Sequence, residues 1–523
     1  MERREFLKNI VAAGAAVTVA TGIGPLIEKG YAGEKKADAG NGKSPKVTGA
    51  KRGDKMEKDA ISTFADYIVG TSYGDIPRPV IEATKMRVAD TVAALLPGSA
   101  AVETRILTEY FAGRAGRGES TVFNHGVKVP VEEAALINVT MARCLDFDDV
   151  HELSSMHVHV LTVPVALAVA EVLGNVTGKE FLTAVVLGGD VMLRIGLANT
   201  VPTAVSGMNA SYQLAGFGAV TAAGKLLGLN KADMIDAMGI AYAQLCGNSQ
   251  CLTEGVMTTR LTGGVAARNG VFSAFLAKKG FTGVKQVLEG KFGYFPVYQQ
   301  NKYNRETLFE DLGRTFWNAQ TTIKIYPCCM HTHSALFALD SILKEDRIPK
   351  NDIAAIHVQV NQQAFNLTCL GKDQKRKPES IPEAQFSMAY VLGNLVAKGS
   401  LFLDDLTEKA IHDPETLRFA GLVESQISPE FEATAAKEIS PATVEVVLKD
   451  GRKFQRTVRI RKGHPDNPLS MDEVREKLWR CSQFAFRKPD EGSLRSVFEK
   501  LVDLENRRPD EIMSDLSGLK RKS

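Results

Sequence analysis

Between residues 59 and about 316, nearly every segment carries apolar residues at a helical period. That regularity restricts the fold more than any single motif does. Ile61, Phe64, Ala65 and Ile68 fall on one helix face, and Pro79 opens a further helix that Pro97-Gly98 stops. Thr177-x-x-Glu180 is a capping box ahead of FLTAVVLGGDVMLRIGLA, and Asn230 caps KADMIDAMGIAYAQLCG. Stretches 217–227 and 265–278 are rich in Ala and Gly, whose small side chains let helix axes approach closely. The expectation is a buried multi-helix core. No fixed-period repeat suggests a solenoid.

After Trp317 the texture changes. Residues 321–326 read as a strand cut off by Pro327, 331–343 as a helix, and 353–361 as an alternating strand. Helix resumes over 384–396 and 414–423. Residues 442–461 form a hairpin around Lys449-Asp450-Gly451. Ser470-x-x-Glu473 then returns the chain to helix, continued over 493–504. The expected fold is mainly α: a large helical domain built from both chain ends (58–319 and 464–518), with a smaller α+β lid domain inserted at 320–463. A chain of 523 residues suits two domains.

Residues 1–32 have a charged start, a Gly/Ala-diluted apolar stretch and a small-residue site ending Gly30-Tyr31-Ala32. Arg3-Arg4 before Glu5-Phe6-Leu7-Lys8 resembles the twin-arginine motif. Export to the periplasm by the twin-arginine machinery is therefore expected. Residues 33–57 read as a disordered linker. Seven cysteines without a CxxC pair make no disulfide framework. A net charge of +3, with no long basic stripe, argues against a nucleic-acid partner.

The chemistry is concentrated in residues 144–174, CLDFDDVHELSSMHVHVLTVPVALAVAEVLG. Asp146, Asp148, Asp149, His151, His157 and His159 crowd beside an apolar helix pattern. Ionisable groups this dense next to a buried run are costly unless paired or used. The plainer alternative is a solvated loop with surface carboxylates.

Leu145-Asp146-Phe147-Asp148-Asp149 with His157, GFGAVTAAGKLLGL, AARNGVFSAFLAKKGFTG, KIYPCCMHTH and AQFSMAY together resemble the MmgE/PrpD family over roughly 59–504. That family includes 2-methylcitrate dehydratases, cis-aconitate decarboxylases and epimerases of small dicarboxylates. The resemblance implies a helical domain plus an α+β lid with the active site between them, a homodimer, and no metal or organic cofactor. It carries the first Asp of the family's DFDD motif onto Asp146, its following histidine onto His157, its lysine onto Lys324 and its FSxxY tyrosine onto Tyr390. It also marks departures. Asn209 stands where a histidine is expected before the Gly-Phe-Gly helix, and Thr259 and Thr262 replace a Lys and a His. Val150 follows the DFDD motif where relatives often have Thr.

Proton removal next to a carboxylate needs a base, a proton donor and fixed positive charge. On this reading His157 is the acid/base group oriented by Asp146, Lys324 clamps a substrate carboxylate, and Tyr390 protonates a leaving group or carbon. Arg260 takes over from the missing lysine by bidentate carboxylate binding. Asn209, His331 and His333 complete the substrate-binding set. Each has a plainer alternative: a satisfied core histidine, a solvated strand lysine, a surface ion pair, a buried tyrosine with its hydroxyl bonded. Neither His157-x-His159 nor His331-x-His333 puts two imidazoles on one helix face, so no metal is expected. No GxGxxG follows a strand, so no dinucleotide is expected.

Two functional expectations follow. One is a cofactor-independent lyase or isomerase of a small anionic di- or tricarboxylate, akin to 2-methylcitrate dehydratase. The other, motivated by Asn209, Thr259 and Thr262, is a chain that binds a carboxylate without turnover.

Overall fold

Both capping boxes form. Glu180 reaches back to the Thr177 amide at 2.8 Å, and Glu473 to the Ser470 amide at 2.6 Å, so each helix starts with its free N–H groups satisfied. Asn230 caps through Asp233 N as expected. The computed structural model describes residues 59–517 and 519, apart from 115, 436, 437, 487 and 488. The expected export signal and linker, residues 1–57, lie outside the described residues.

Among the described residues the helices of at least eleven residues are α1 (Ala60–Gly70), α2 (Arg78–Gly98), α3 (Val102–Ala112), α4 (Val131–Arg143), α5 (His159–Leu173), α6 (Gly178–Ala198), α7 (Ala210–Leu226), α8 (Lys231–Tyr242), α9 (Thr258–Lys278), α10 (His333–Glu345), α11 (Met388–Lys398), α12 (Met471–Ala485) and α13 (Glu491–Val502). The fold is mainly α. Its buried apolar residues form two clusters. One takes residues from 60–325, from 469–519, and Phe402 and Leu403; the other takes residues between 328 and 448.

In the first cluster the helices meet at small residues. A Cβ on Gly264 of α9 would lie 2.3 Å from Thr140 Oγ1 and 2.4 Å from the Leu136 carbonyl of α4, so only glycine admits this approach. The contact fixes the distance between the two helices that carry Arg260 and Arg143. α6 is long and apolar enough to cross a bilayer by composition, yet it lies inside this core with its Asp190–Arg194 pair (2.7 Å) buried.

The strands are few. β1 (Ser120–Val122) pairs with β2 (Val127–Val129). β3 (Val150–His151), β4 (Met156–His157) and β5 (Thr321–Thr322) form a small antiparallel sheet, Val150 facing both His157 and Thr322. β6 (Ile353–Val360), β7 (Val423–Ile427), β8 (Ala442–Leu448) and β9 (Lys453–Val458) make a sheet of order β7-β6-β8-β9. There β6 runs parallel to β7 and antiparallel to β8.

Four expectations need correction. The strand expected over 321–326 keeps only Thr321 and Thr322, because Ile323 N donates to the Gly463 carbonyl (3.0 Å) and leaves the ladder. The helix expected over 384–396 is two, split where Ser387 Oγ caps a new start at Tyr390 N (3.0 Å). The helix expected over 414–423 stops at Ala420, and Val423, its expected last residue, instead opens a strand held by β6. The 144–159 stretch is not a solvated loop: Asp146, Asp148 and Asp149 are all buried.

Candidate active site

Arg87 of α2 donates to Thr321 Oγ1 (2.8 Å), the Thr321 carbonyl (2.6 Å) and the Ala319 carbonyl (2.8 Å). This locks β5 against the helical core, and β5 in turn holds the β3–β4 hairpin. Lys324, two residues beyond β5, is thereby placed over the turn that precedes β3. Its ammonium donates to both the carbonyl and Oδ2 of Asp146, each at 2.9 Å. Asp146 adopts φ +54, a left-handed conformation that a non-glycine residue holds at a cost of about 1 kcal/mol or more. That backbone turns carbonyl and carboxylate of one residue toward one cation.

Two more cations converge. Arg143, the last residue of α4, donates Nη1 to Asp146 Oδ1 (2.7 Å) and Asp148 Oδ1 (3.1 Å). Arg260, in the first turn of α9, lies 3.6 Å from Asp146 Oδ1. Arg260 also donates to Gln385 Oε1 (3.2 Å), whose amide nitrogen donates to the Leu145 and Pro327 carbonyls at 2.8 and 3.0 Å. Burial alone would raise the Asp146 carboxyl, but Lys324, Arg143 and Arg260 outweigh it and hold it well below the usual carboxylate range.

His157 Nδ1 lies 2.7 Å from Asp148 Oδ2, and its Nε2 lies 2.9 Å from Arg143 Nη2. Asp148, not Asp146, therefore orients this imidazole. Burial and the neighbouring Arg143 and Lys324 lower the His157 pKa against the opposing pull of Asp148. Ser211 Oγ of α7 accepts from the His157 amide at 3.0 Å. At 14% side-chain exposure His157 is the most open of the group, against 2% for Asp146 and Lys324.

Behind this cluster Lys477 of α12 spends its ammonium on Asp90 Oδ1 of α2 (2.6 Å), the Phe147 carbonyl (2.7 Å) and the Lys324 carbonyl (2.8 Å). It fastens the Asp146 turn and the Lys324 segment to one helix face. Burial raises the Asp90 carboxyl to about 6 despite this pairing. A cleft of about 330 Å³, lined in part by Phe147, Ile325, Phe402 and Lys477, opens on this side.

The structure thus brings Asp146, His157, Lys324 and Arg260 together. It does not bring Tyr390: that hydroxyl donates to the Asp405 and Ala410 carbonyls (2.8 and 3.3 Å) inside the second core cluster, so the proton-donor assignment is withdrawn. Asn209 caps α7, accepting from Tyr212 N at 3.3 Å, which occupies the oxygen expected to meet a substrate. His331 bonds Ser440 Oγ (2.7 Å) and burial lowers its pKa to about 4. His333 is also buried, and held well below its usual pKa. Both are neutral core groups, not anion-binding charges. The Thr259 and Thr262 hydroxyls donate to the Cys251 and Thr258 carbonyls.

Arg143, Asp148 as the orienting carboxylate, Gln385 and Lys477 were not anticipated. Arg143 sat at a helix C-terminus, where a basic residue is ordinary, and Lys477 lies more than 150 residues from either carbonyl it binds. Among the described residues no group of three or more His, Cys, Asp or Glu side chains is arranged to hold a metal ion.

The MmgE/PrpD N-terminal domain matches residues 62–306 and the MmgE/PrpD C-terminal domain residues 326–502. The chain belongs to the MmgE/PrpD family. Within MmgE/PrpD proteins it is similar to a cis-aconitate decarboxylase-like protein of Aspergillus oryzae, 25% identical over 88% of this chain and 98% of that one. A cis-aconitate decarboxylase of Aspergillus terreus is 28% identical over 85% and 92%, and one of Homo sapiens 26% over 86% and 93%. The gap between the two MmgE/PrpD matches, 306 to 326, contains Lys324, the residue whose ammonium reaches Asp146.

Proposed function

We propose that this chain is a cofactor-independent lyase acting on a small tri- or dicarboxylate, moving one proton at a carbon next to a carboxylate. The observation that carries this is the convergence of Lys324, Arg143 and Arg260 on Asp146, beside a neutral imidazole held by Asp148. Three cations against two carboxylates leave a net positive site for an anionic guest, and low-dielectric surroundings strengthen each contact to developing charge. His157 Nε2 transfers the proton, and the cations hold the substrate carboxylates and the enediolate-like charge. The names of the relatives favour loss of carbon dioxide; loss of water, as in a 2-methylcitrate dehydratase, and reprotonation without loss, as in an epimerase, use the same first step. The α+β segment serves as a lid over this site. Incubating the protein with cis-aconitate and 2-methylcitrate, and following carbon dioxide and unsaturated product separately, tests the assignment. Turnover should vanish in Lys324→Ala and His157→Ala; a rate unchanged from the unmutated protein in both variants would refute it.

A second reading has its own observation. Asn209, Thr259 and Thr262 all spend their polar atoms on backbone, which fits a site that binds carboxylates without turning them over. Polycarboxylate binding with no solvent exchange in deuterated water would select it.

The further parts of the proposal are export to the periplasm through the twin-arginine route and a homodimer. Exposed Phe281, Val284 and Phe292 support the latter. Sedimentation of the exported protein and its fractionation test these two.

A further inference from the structure

Arg143 is bonded along only part of its guanidinium. Nη1 is committed to Asp146 and Asp148, and Nη2 lies 2.9 Å from His157 Nε2, but Nε–H is buried without a partner among the described residues. The residue is 3% exposed, so this donor is not answered by bulk water. An arginine only donates. His157 Nε2 must therefore be the acceptor, and Nδ1, 2.7 Å from Asp148 Oδ2, carries the ring proton. In the free protein the lone pair that would receive a substrate proton points into a guanidinium.

We propose that Arg143 is a cap on this base that the substrate's own carboxylate removes. The side-on edge of a guanidinium is Nε together with Nη2. Here Nε–H is unused, and Nη2, which carries two hydrogens, has a neutral nitrogen as its acceptor. A carboxylate docking there takes Nε–H and one Nη2–H in charge-assisted bonds, and drawing the guanidinium toward it costs only the bond to a neutral acceptor, a net gain in strong bonds. The Nη1 bonds to Asp146 and Asp148 stay in place, so the arginine need not leave the site. Nε2 is released at the moment a carboxylate arrives beside it, with the adjacent carbon in reach. A guest without a carboxylate leaves the base covered, so the same contact filters substrates. This rests on His157 acting as the proton-transfer group.

The test uses the full chain labelled with 15N-histidine, with the His157 Nε2 signal assigned by its loss in His157→Gln. Without ligand, Nε2 should read as an unprotonated, hydrogen-bonded acceptor. Tricarballylate should shift it toward a free lone pair or a protonated nitrogen, and its amide analogue should not move it. Arg143→Lys keeps a charge for Asp146 and Asp148 but has no side-on edge. Its free-state Nε2 signal should already be displaced, and its KM for any turned-over carboxylate should rise at least tenfold. An Nε2 signal that tricarballylate leaves unmoved in the unmutated chain overturns the cap, whether or not Arg143→Lys folds. So does an unchanged KM in that variant. The ligand-induced shift seen without turnover of any acid tried would sink the lyase assignment and keep the cap.

Discussion

The hairpin holds two aspartate–histidine pairs side by side, Asp148 with His157 and Asp149 with His159. The contacts are nearly identical, Oδ2 to Nδ1 at 2.7 and 2.6 Å. Their surroundings are not. His157 faces Arg143 with Lys324 close by, whereas His159 opens α5, is fully buried, and its Nε2 has no partner among the described residues. Asp149 spends its second oxygen on the His159 amide at 3.2 Å, so this pair works as a helix start. A carboxylate–imidazole couple is therefore not a signature of chemistry. The neighbouring cations and the sliver of exposure make one pair a candidate for catalysis and the other a structural element.

Exchanging the pairs' histidines should break the equivalence most sharply. His157→Ala should cut turnover by about 10² to 10⁴-fold with the fold intact. His159→Ala should leave turnover per folded molecule within about threefold, while unfolding free energy drops by roughly 3 kcal/mol as Asp149 loses its buried partner. Steady-state rates and urea titration of both proteins read this. Lys477→Met comes next. It strips Asp90, Phe147 and Lys324 of one shared ammonium, and a loss of roughly 3–5 kcal/mol is expected in the same titration. Turnover should fall with it, since the Lys324 segment loses its anchor.

The pH profile sharpens the comparison further. His157 must be neutral to accept a proton, and its folded pKa is lowered, with Arg143, Lys324, Asp146 and Asp148 the charges facing it. The acid limb of kcat/KM should therefore lie below 6.5, the ordinary imidazole value. Stability carries the same sign. Buried neutral His151 and His331, each lowered to about 4, stabilise the fold fully above pH 6.5 and lose that contribution as pH falls toward 4. Asp90, raised to about 6, works oppositely, favouring the folded form as pH drops from 6 toward 3.8. A thermal midpoint that rose steadily from pH 6.5 to 4 would contradict this balance. Tyr390→Phe should matter least: about 1 kcal/mol for the lost bonds to Asp405 and Ala410, with turnover unchanged.

Local chemistry was legible where it acts over a few residues. Thr177 and Ser470 announce their helices because their partners lie three positions on. The Asp146–His157 stretch announces itself by charge density. Asn209 shows the limit: as a residue type it suits a site and a helix cap equally, and only the register of α7 decides for the cap. Residues 423–427, VESQI, are strand because β6 lies beside them, a pairing invisible to local periodicity. Arg143 and Lys477 were missed for a related reason. Their roles depend on which distant carbonyls and carboxylates reach them.

Lys477 also sets an order of assembly. A nascent polypeptide offers Asp90 first, then the Asp146 turn, then the Lys324 carbonyl, and each waits for an ammonium at least 153 residues further along the chain. A product cut before α12 would retain most of the helical scaffold yet lack the rivet that joins these three points. The three points are thus fastened together only after all of them have been made.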